Sequence, residues 1–190
     1  MKPRRFTTKV EITHKSYLAH LLGMTPSRGT GIYLLSEEIG IELKCRYSKY
    51  IKHNYACCEN EYQNFPGRYP NRELYLAFLI YGLSREPKEI PKERLNLEPY
   101  VTERIVKFVQ WDFIANIPVS SPKKSGPFRY VSISSLPSDG DFNLFEEGKT
   151  RLYIPKESKL EGLVRERVES ITQGKVIVRY RGNEKLVTYS

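Results

Sequence analysis

The alternation of apolar and polar positions divides this chain into short stretches of strand period and two stretches of helix period. Tyr17, Leu18, Leu21 and Leu22 form an apolar stripe that predicts a helix over residues 14–22, capped by Thr8 or Thr13 and stopped at Gly23. Residues 24–30 (MTPSRGT) carry turn chemistry and predict a loop, with Arg28 just ahead of a strand. Residues 31–36 and 39–47 are rich in aliphatic and aromatic side chains and predict two strands joined by Glu37 and Glu38. That turn implies a register in which Ser36 faces Ile39 and Tyr33 faces Glu42, with the last two side chains on one face.

Residues 74–83 (LYLAFLIYGL) are continuously apolar and predict a buried central strand. Pro66 and Pro70 mark a loop before it, and Pro87, Pro91 and Pro99 make residues 84–99 a connection. Residues 104–111 predict a strand running into a helical turn over 112–116. Residues 118–126 (PVSSPKKSG) predict an exposed basic loop holding Lys123 and Lys124, residues 128–136 a strand, and residues 138–141 a turn. Beyond Pro155, Leu160, Leu163, Val164, Val168 and Ile171 recur at helical spacing between a Ser158 cap and a Gly174 stop, and residues 175–180 and 185–189 predict a hairpin. The pattern as a whole predicts an α/β or α+β fold, a mixed central sheet flanked by helices. Residues 1–155 form its core, and residues 156–190 a C-terminal helix and hairpin packed on the same domain.

Composition narrows this picture. A chain of 190 residues suits one sizeable domain. The 31 Lys and Arg against 22 Asp and Glu, a net charge of +9, favour a polyanionic partner, nucleic acid first. Cys45, Cys57 and Cys58 form neither an even framework nor a CxxC pair, which points to a reducing, cytoplasmic setting. No secretory signal is visible, and the apolar run at 74–83 is far too short to span a bilayer, so no membrane partner is expected. His53 with Cys57 and Cys58 lacks a fourth zinc ligand nearby. Lys44, Arg46, Lys49 and Lys52 alternate with Tyr47, Tyr50 and Tyr55, as suits phosphates met by cations and bases stacked on rings. Tyrosines packing a β-rich edge would give the same pattern.

Glu-x-Lys occurs four times, at Glu42, Glu86, Glu147 and Glu157, but only the first lies in a strand, IGIELKCRY. Strand alternation puts Glu42 and Lys44 on one face and Ile41 and Leu43 on the other. A carboxylate and an ammonium side by side on a rigid support, next to a basic, tyrosine-rich segment, is a setting for phosphodiester chemistry. A solvated ion pair on an edge strand is the plainer alternative.

The stretch GTGIYLLSEEIGIELKCRY at 29–47 resembles the core of the PD-(D/E)xK nucleases, the restriction-endonuclease-like superfamily, in which a hairpin carries an acid and then (D/E)xK. The apolar strand at 74–83 and FVQWDFI at 108–114 are similar to later strands of that core, and the resemblance covers residues 10–135. It implies a DNA endonuclease acting on double-stranded DNA as a homodimer. The acid matching Glu42 would ligate magnesium or manganese, and the lysine matching Lys44 would position or deprotonate the attacking water.

The family's first acid falls at Tyr33 in this chain. A phenol with a pKa of about 10 is a poor magnesium ligand, so the second carboxylate is expected from Glu37, Glu38 or Glu11. Backbone contacts are expected from Arg28, Arg46, Lys49, Lys52, Lys123 and Lys124. GIYLL at 31–35 also resembles the first half of the GIY-YIG nucleases, with IGI at 39–41 as a faint echo of the second half. Two other readings stand beside the nuclease: a catalytically silent nucleic-acid-binding module that kept the fold, and an interaction protein whose basic face meets other proteins.

Overall fold

The computed structural model describes residues 6–27, 33–50, 55–119, 128–131, 148–171, 175–181 and 186–188. Its strands are β1 (Thr25–Pro26), β2 (Leu34–Leu35), β3 (Ile39–Tyr47), β4 (Tyr55–Cys58), β5 (Glu73–Leu83), β6 (Val101–Gln110), β7 (Phe128–Val131), β8 (Thr150–Pro155), β9 (Val176–Arg181) and β10 (Leu186–Thr188). The helices are α1 (Phe6–Leu22), α2 (Glu59–Arg68) and α3 (Lys159–Ile171), with short 3-10 turns between. Eight strands form one mixed sheet in the order β1-β2-β3-β5-β6-β8-β9-β10, and β4 pairs with β7 in a second, two-stranded sheet. The pairs β3–β5, β6–β8 and β8–β9 are parallel and the others antiparallel. The fold is therefore the mixed sheet with helices that the pattern predicts, ending in a helix and a hairpin.

Residues 74–82 of β5 are all buried, so both faces of the sheet have to be covered. On one face Tyr75, Ala77, Leu79 and Tyr81 pack with Ile39, Ile41 and Leu43 beneath α1 and α3, which contribute Val10, Leu18, Leu22, Leu160, Val164 and Val168. On the other, Leu74, Leu76, Phe78 and Ile80 join Ile105, Val109 and Trp111 beneath Phe65 of α2 and Val131 of β7. Burial of this kind is worth about 25 cal/mol per Å² of apolar surface, which makes these two layers the principal source of stability.

Several elements differ from the sequence reading. Helix α1 begins at Phe6 rather than residue 14, because Val10 and Phe6 extend its buried stripe despite the weak helix propensity of Thr7, Thr8, Ile12 and Thr13. Thr13 sits inside the helix instead of capping it. Its hydroxyl donates to the Lys9 carbonyl and accepts the Leu97 backbone N–H, both at 2.8 Å. The Lys9 ammonium donates to the carbonyls of Pro91 and Lys92, so the proline-rich connection between β5 and β6 is strapped to α1. Gly23 ends the helix at φ +63°, where a Cβ would also strike the Arg167 side chain. Helix α2 lies where Pro66 suggested a loop, with the proline in its last turns. Strand β8 has no counterpart in the sequence reading. Thr25 and Pro26, read as loop, pair with Leu35 and Leu34. The expected basic loop at 118–126 lies outside the described residues beyond Val119, as does the strand at 128–136 beyond Val131 and the whole turn at 138–141.

Candidate active site

Strand β3 holds Ile39, Ile41 and Leu43 against α1, so alternation puts Glu42 and Lys44 on the opposite face, paired in register with Leu76 and Phe78 of β5. Their side chains meet at 3.0 Å between Lys44 Nζ and Glu42 Oε1 and are 22% and 5% exposed. A carboxylate buried among Leu76 and Phe78 pays a heavy desolvation penalty, and the adjacent ammonium is what offsets it.

The same face carries further cations that the strand order brings into line. Lys44 is in register with Phe78, Lys107, Tyr153 and Arg179 across five strands, and Arg46 with Ile80, Ile105 and Arg151. At about 4.8 Å per strand the first row spans roughly 19 Å. The Lys107 ammonium and the Arg179 guanidinium lie 5.3 and 6.0 Å from the Tyr153 ring centre. Lys107, Arg151 and Arg179 were not singled out from the sequence. The signal there is a cation flanked by apolar residues in each of three strands, and its meaning depends on which strands are neighbours.

The register that the turn implies holds as far as Leu34, which pairs with Ile41; the next residue leaves it, since the Tyr33 N–H also turns to Ile41, donating to its carbonyl at 2.9 Å. The inference that the Tyr33 and Glu42 side chains share a face is corrected. The Tyr33 ring packs against the core under α1, with the Lys15 ammonium 5.4 Å from its centre. Tyr33 lies just beyond the two-residue ladder of β2, where strand alternation no longer dictates direction. Glu38 turns to Lys159 at the start of α3, 3.6 Å away, and its backbone lies roughly 13 Å along β3 from Glu42. Glu37 is exposed in the same turn, and Glu11 lies on the exposed side of α1, across the sheet from Glu42. None of the three is gathered beside Glu42. Among the described residues no group of three or more His, Cys, Asp or Glu forms a metal cage. Magnesium is content with one or two carboxylates plus waters and a substrate phosphate, so Glu42 alone meets the lower end of that requirement.

Arg46 is half-buried on β3, and exposed Lys49 is ion-paired with Glu86. Arg28, Lys52, Lys123, Lys124 and His53 lie outside the described residues, as do the side chains of Cys57 and Cys58.

Across the strand from the Glu42 carboxylate, a groove of about 530 Å³ opens between Phe6, Val10 and Glu11 of α1 and residues 43–47 of β3, with Tyr33, Tyr50 and Tyr81 completing its walls. Cys45 faces it. Burial pushes its thiol up, with the Glu11 carboxylate adding to the effect, so at neutral pH it is a protonated thiol and no nucleophile. Tyr47 is buried and stacks on Tyr81 with ring centres 5.7 Å apart, as a packed β edge would have it, while Tyr50 is 54% exposed. No helix among the described residues is long and apolar enough to cross a membrane. No family model, curated protein or solved structure matches the chain.

Proposed function

We propose that this chain is a magnesium-dependent deoxyribonuclease of the PD-(D/E)xK kind, hydrolysing phosphodiester bonds in double-stranded DNA. The observation that carries the reading is the Glu42–Lys44 pair, 3.0 Å apart on a buried strand, on a sheet face that also bears Arg46, Lys107, Arg151 and Arg179. The succession of α1, the β2–β3 hairpin and the parallel partner β5 supports a restriction-endonuclease-like core.

Magnesium, or manganese in its place, supplies charge neutralisation and an activated water when bound. Glu42 would hold it. Lys44 pairs with the buried Glu42 carboxylate and would orient the water for in-line attack. Arg46 steadies a flanking phosphate, and the cations behind it give the face a positive potential that draws in a polyanion. Cleavage of both strands calls for a two-fold homodimer. Three cysteines that form neither an even framework nor a CxxC pair fit a reducing, cytoplasmic setting.

A nucleic-acid-binding module without catalysis is the second reading. It is favoured by Tyr33 at the first-acid position, with its ring turned away, and by the single carboxylate at the pair among the described residues. Plasmid DNA incubated with Mg²⁺ or Mn²⁺ decides between them, comparing wild type with Glu42→Gln and Lys44→Met variants shown to be folded by circular dichroism. The nuclease reading expects cleavage by the wild type and a loss of about 100-fold or more in each variant. Salt-sensitive binding without cleavage supports the second reading. Equal cleavage by all three proteins removes Glu42 and Lys44 from the site.

A further inference from the structure

The groove on the α1 side of β3 plays no part in the chemistry above, which lies on the other face of that strand. Its volume of about 530 Å³ lies within the range of small-ligand sites, roughly 300–1,000 Å³.

The chemistry of the wall decides what can fill it. Apolar and aromatic side chains predominate, with Phe6 and Val10 from α1, Leu43 from β3 and the rings of Tyr47, Tyr50 and Tyr81. Lys44 and Arg46 border the groove, but strand alternation turns their side chains to the opposite face, where Lys44 meets Glu42. The charged side chain left on the wall is Glu11. Its carboxylate is felt at the floor: among the charges acting on the Cys45 thiol it is the strongest, ahead of Arg104 and Lys44. The rings agree with it in sign, since each presents a negative π face that attracts a cation. Two of them already show this. The Lys15 ammonium lies 5.4 Å from the Tyr33 ring centre, and Lys49, whose charge Glu86 balances, lies 6.0 Å from that of Tyr47. An anion is repelled by the carboxylate and by the ring faces alike, and a neutral apolar molecule gains from neither. An organic ammonium ion gains from both, while its carbon body fills the apolar remainder.

We propose that this groove binds a small organic cation, its apolar or aromatic body among the rings and its ammonium group beside the Glu11 carboxylate. Tyr50, 54% exposed, stands at the mouth and meets Tyr47 edge-on at 6.0 Å, so an entering cation passes its ring first. The proposal stands apart from the phosphodiester reading, because the groove and the Glu42–Lys44 pair lie on opposite faces of β3.

Three probes that share one frame and differ in charge test this: phenethylammonium, phenethyl alcohol and phenylacetate, each titrated into the full chain and followed through its NMR amide signals. The ammonium binds about 5- to 30-fold more tightly than the alcohol, the sum of one ion pair and one cation–π contact, and phenylacetate binds more weakly than either. The signals that move are those of residues 6–11 and 43–47. Glu11 and Tyr50 are exposed, so Glu11→Gln and Tyr50→Ala both fold. Glu11→Gln weakens the ammonium by about 2- to 5-fold and leaves the alcohol unchanged, and Tyr50→Ala weakens the ammonium by a similar factor. Alcohol and ammonium bound equally well, a preference for the cation that survives Glu11→Gln, shifts confined to other residues, or no binding of any probe at millimolar concentration would each overturn the assignment. None of these outcomes bears on Glu42-dependent cleavage, which the plasmid assay reads separately.

Discussion

His14 should make the protein lose stability as the pH falls below about 6.5. Its ring is fully buried, its Nδ1 accepts a hydrogen bond from Arg104 Nε at 3.1 Å, and its face lies 4.4 Å from the Tyr81 ring. Burial pushes this imidazole well below its ordinary value of 6.5, and the adjacent guanidinium adds to the effect. An acceptor nitrogen facing a permanent cation cannot take a proton without losing that bond. In the unfolded chain the same histidine titrates near 6.5. Below that pH the unfolded state binds the extra proton and the folded state does not. The contribution is therefore complete above about pH 6.5 and is lost as the pH falls toward the folded value. Each pH unit between the unfolded and the folded value costs up to about 1.4 kcal/mol. Urea unfolding at pH 7.5, 6.5, 5.5 and 5.0 measures it, with His14→Gln as reference. The glutamine amide oxygen can still accept from Arg104 and does not titrate. Subtracting the two curves separates His14 from His20, His53 and the carboxylates. Curves that stay parallel within about 0.5 kcal/mol over the window would refute a neutral, buried His14.

Three further outcomes follow from local geometry. Ser158 Oγ accepts the Glu161 N–H at 3.1 Å while the Glu161 carboxylate accepts the Glu157 N–H at 2.7 Å, so Ser158→Ala should cost about 1 kcal/mol, read as a lower urea midpoint. Lys44→Met strands the Glu42 carboxylate and should cost about 2–3 kcal/mol at pH 8, below the cost for a fully buried pair because Lys44 keeps some solvent; Glu42→Gln added to it should restore most of the loss. At Gly82, beside the bulge in β5, a Cβ would lie 1.9 Å from Glu103 Oε1 and 2.6 Å from Thr102 Oγ1, whereas at Gly162 in α3 it meets nothing within 4 Å. Gly82→Ala should therefore destabilise by about 1–3 kcal/mol and Gly162→Ala stabilise by about 0.5–1 kcal/mol, with Tm shifts of opposite sign.

The elements legible in the sequence are those whose own residues decide them. Strand β5 is apolar throughout, α3 carries both its stripe and its Ser158 cap, and the Ser36–Ile39 turn sets the register of β2 on β3. Elements settled by distant partners were harder to read. The first two turns of α1 have weak propensity and are held by the strap at residues 91–97, and α2 contributes Phe65 to a core that its polar sequence does not advertise. For the candidate site, the adjacency of Glu42 and Lys44 follows from a two-residue spacing. The alignment of Lys44 with Lys107 and Arg179 follows from strand order, which no local pattern contains. Tyr33 shows the limit of alternation: the turn sets the register only as far as Leu34, and beyond it the ring packs in the space beneath α1.

The strap that ties α1 to the proline-rich connection also sets an order of events at the ribosome. Lys9, Thr13 and His14 take their partners from Pro91, Leu97 and Arg104, separations of 82, 84 and 90 residues. At a synthesis rate of about 5–20 residues per second those partners follow the helix by roughly 5–20 s. Throughout that interval α1 has a polar face waiting for bonds and an apolar face without a sheet. Helix α1, made before the segments that hold it, is thus among the last elements of this sheet to dock, and its docking closes the layer over β3 and β5.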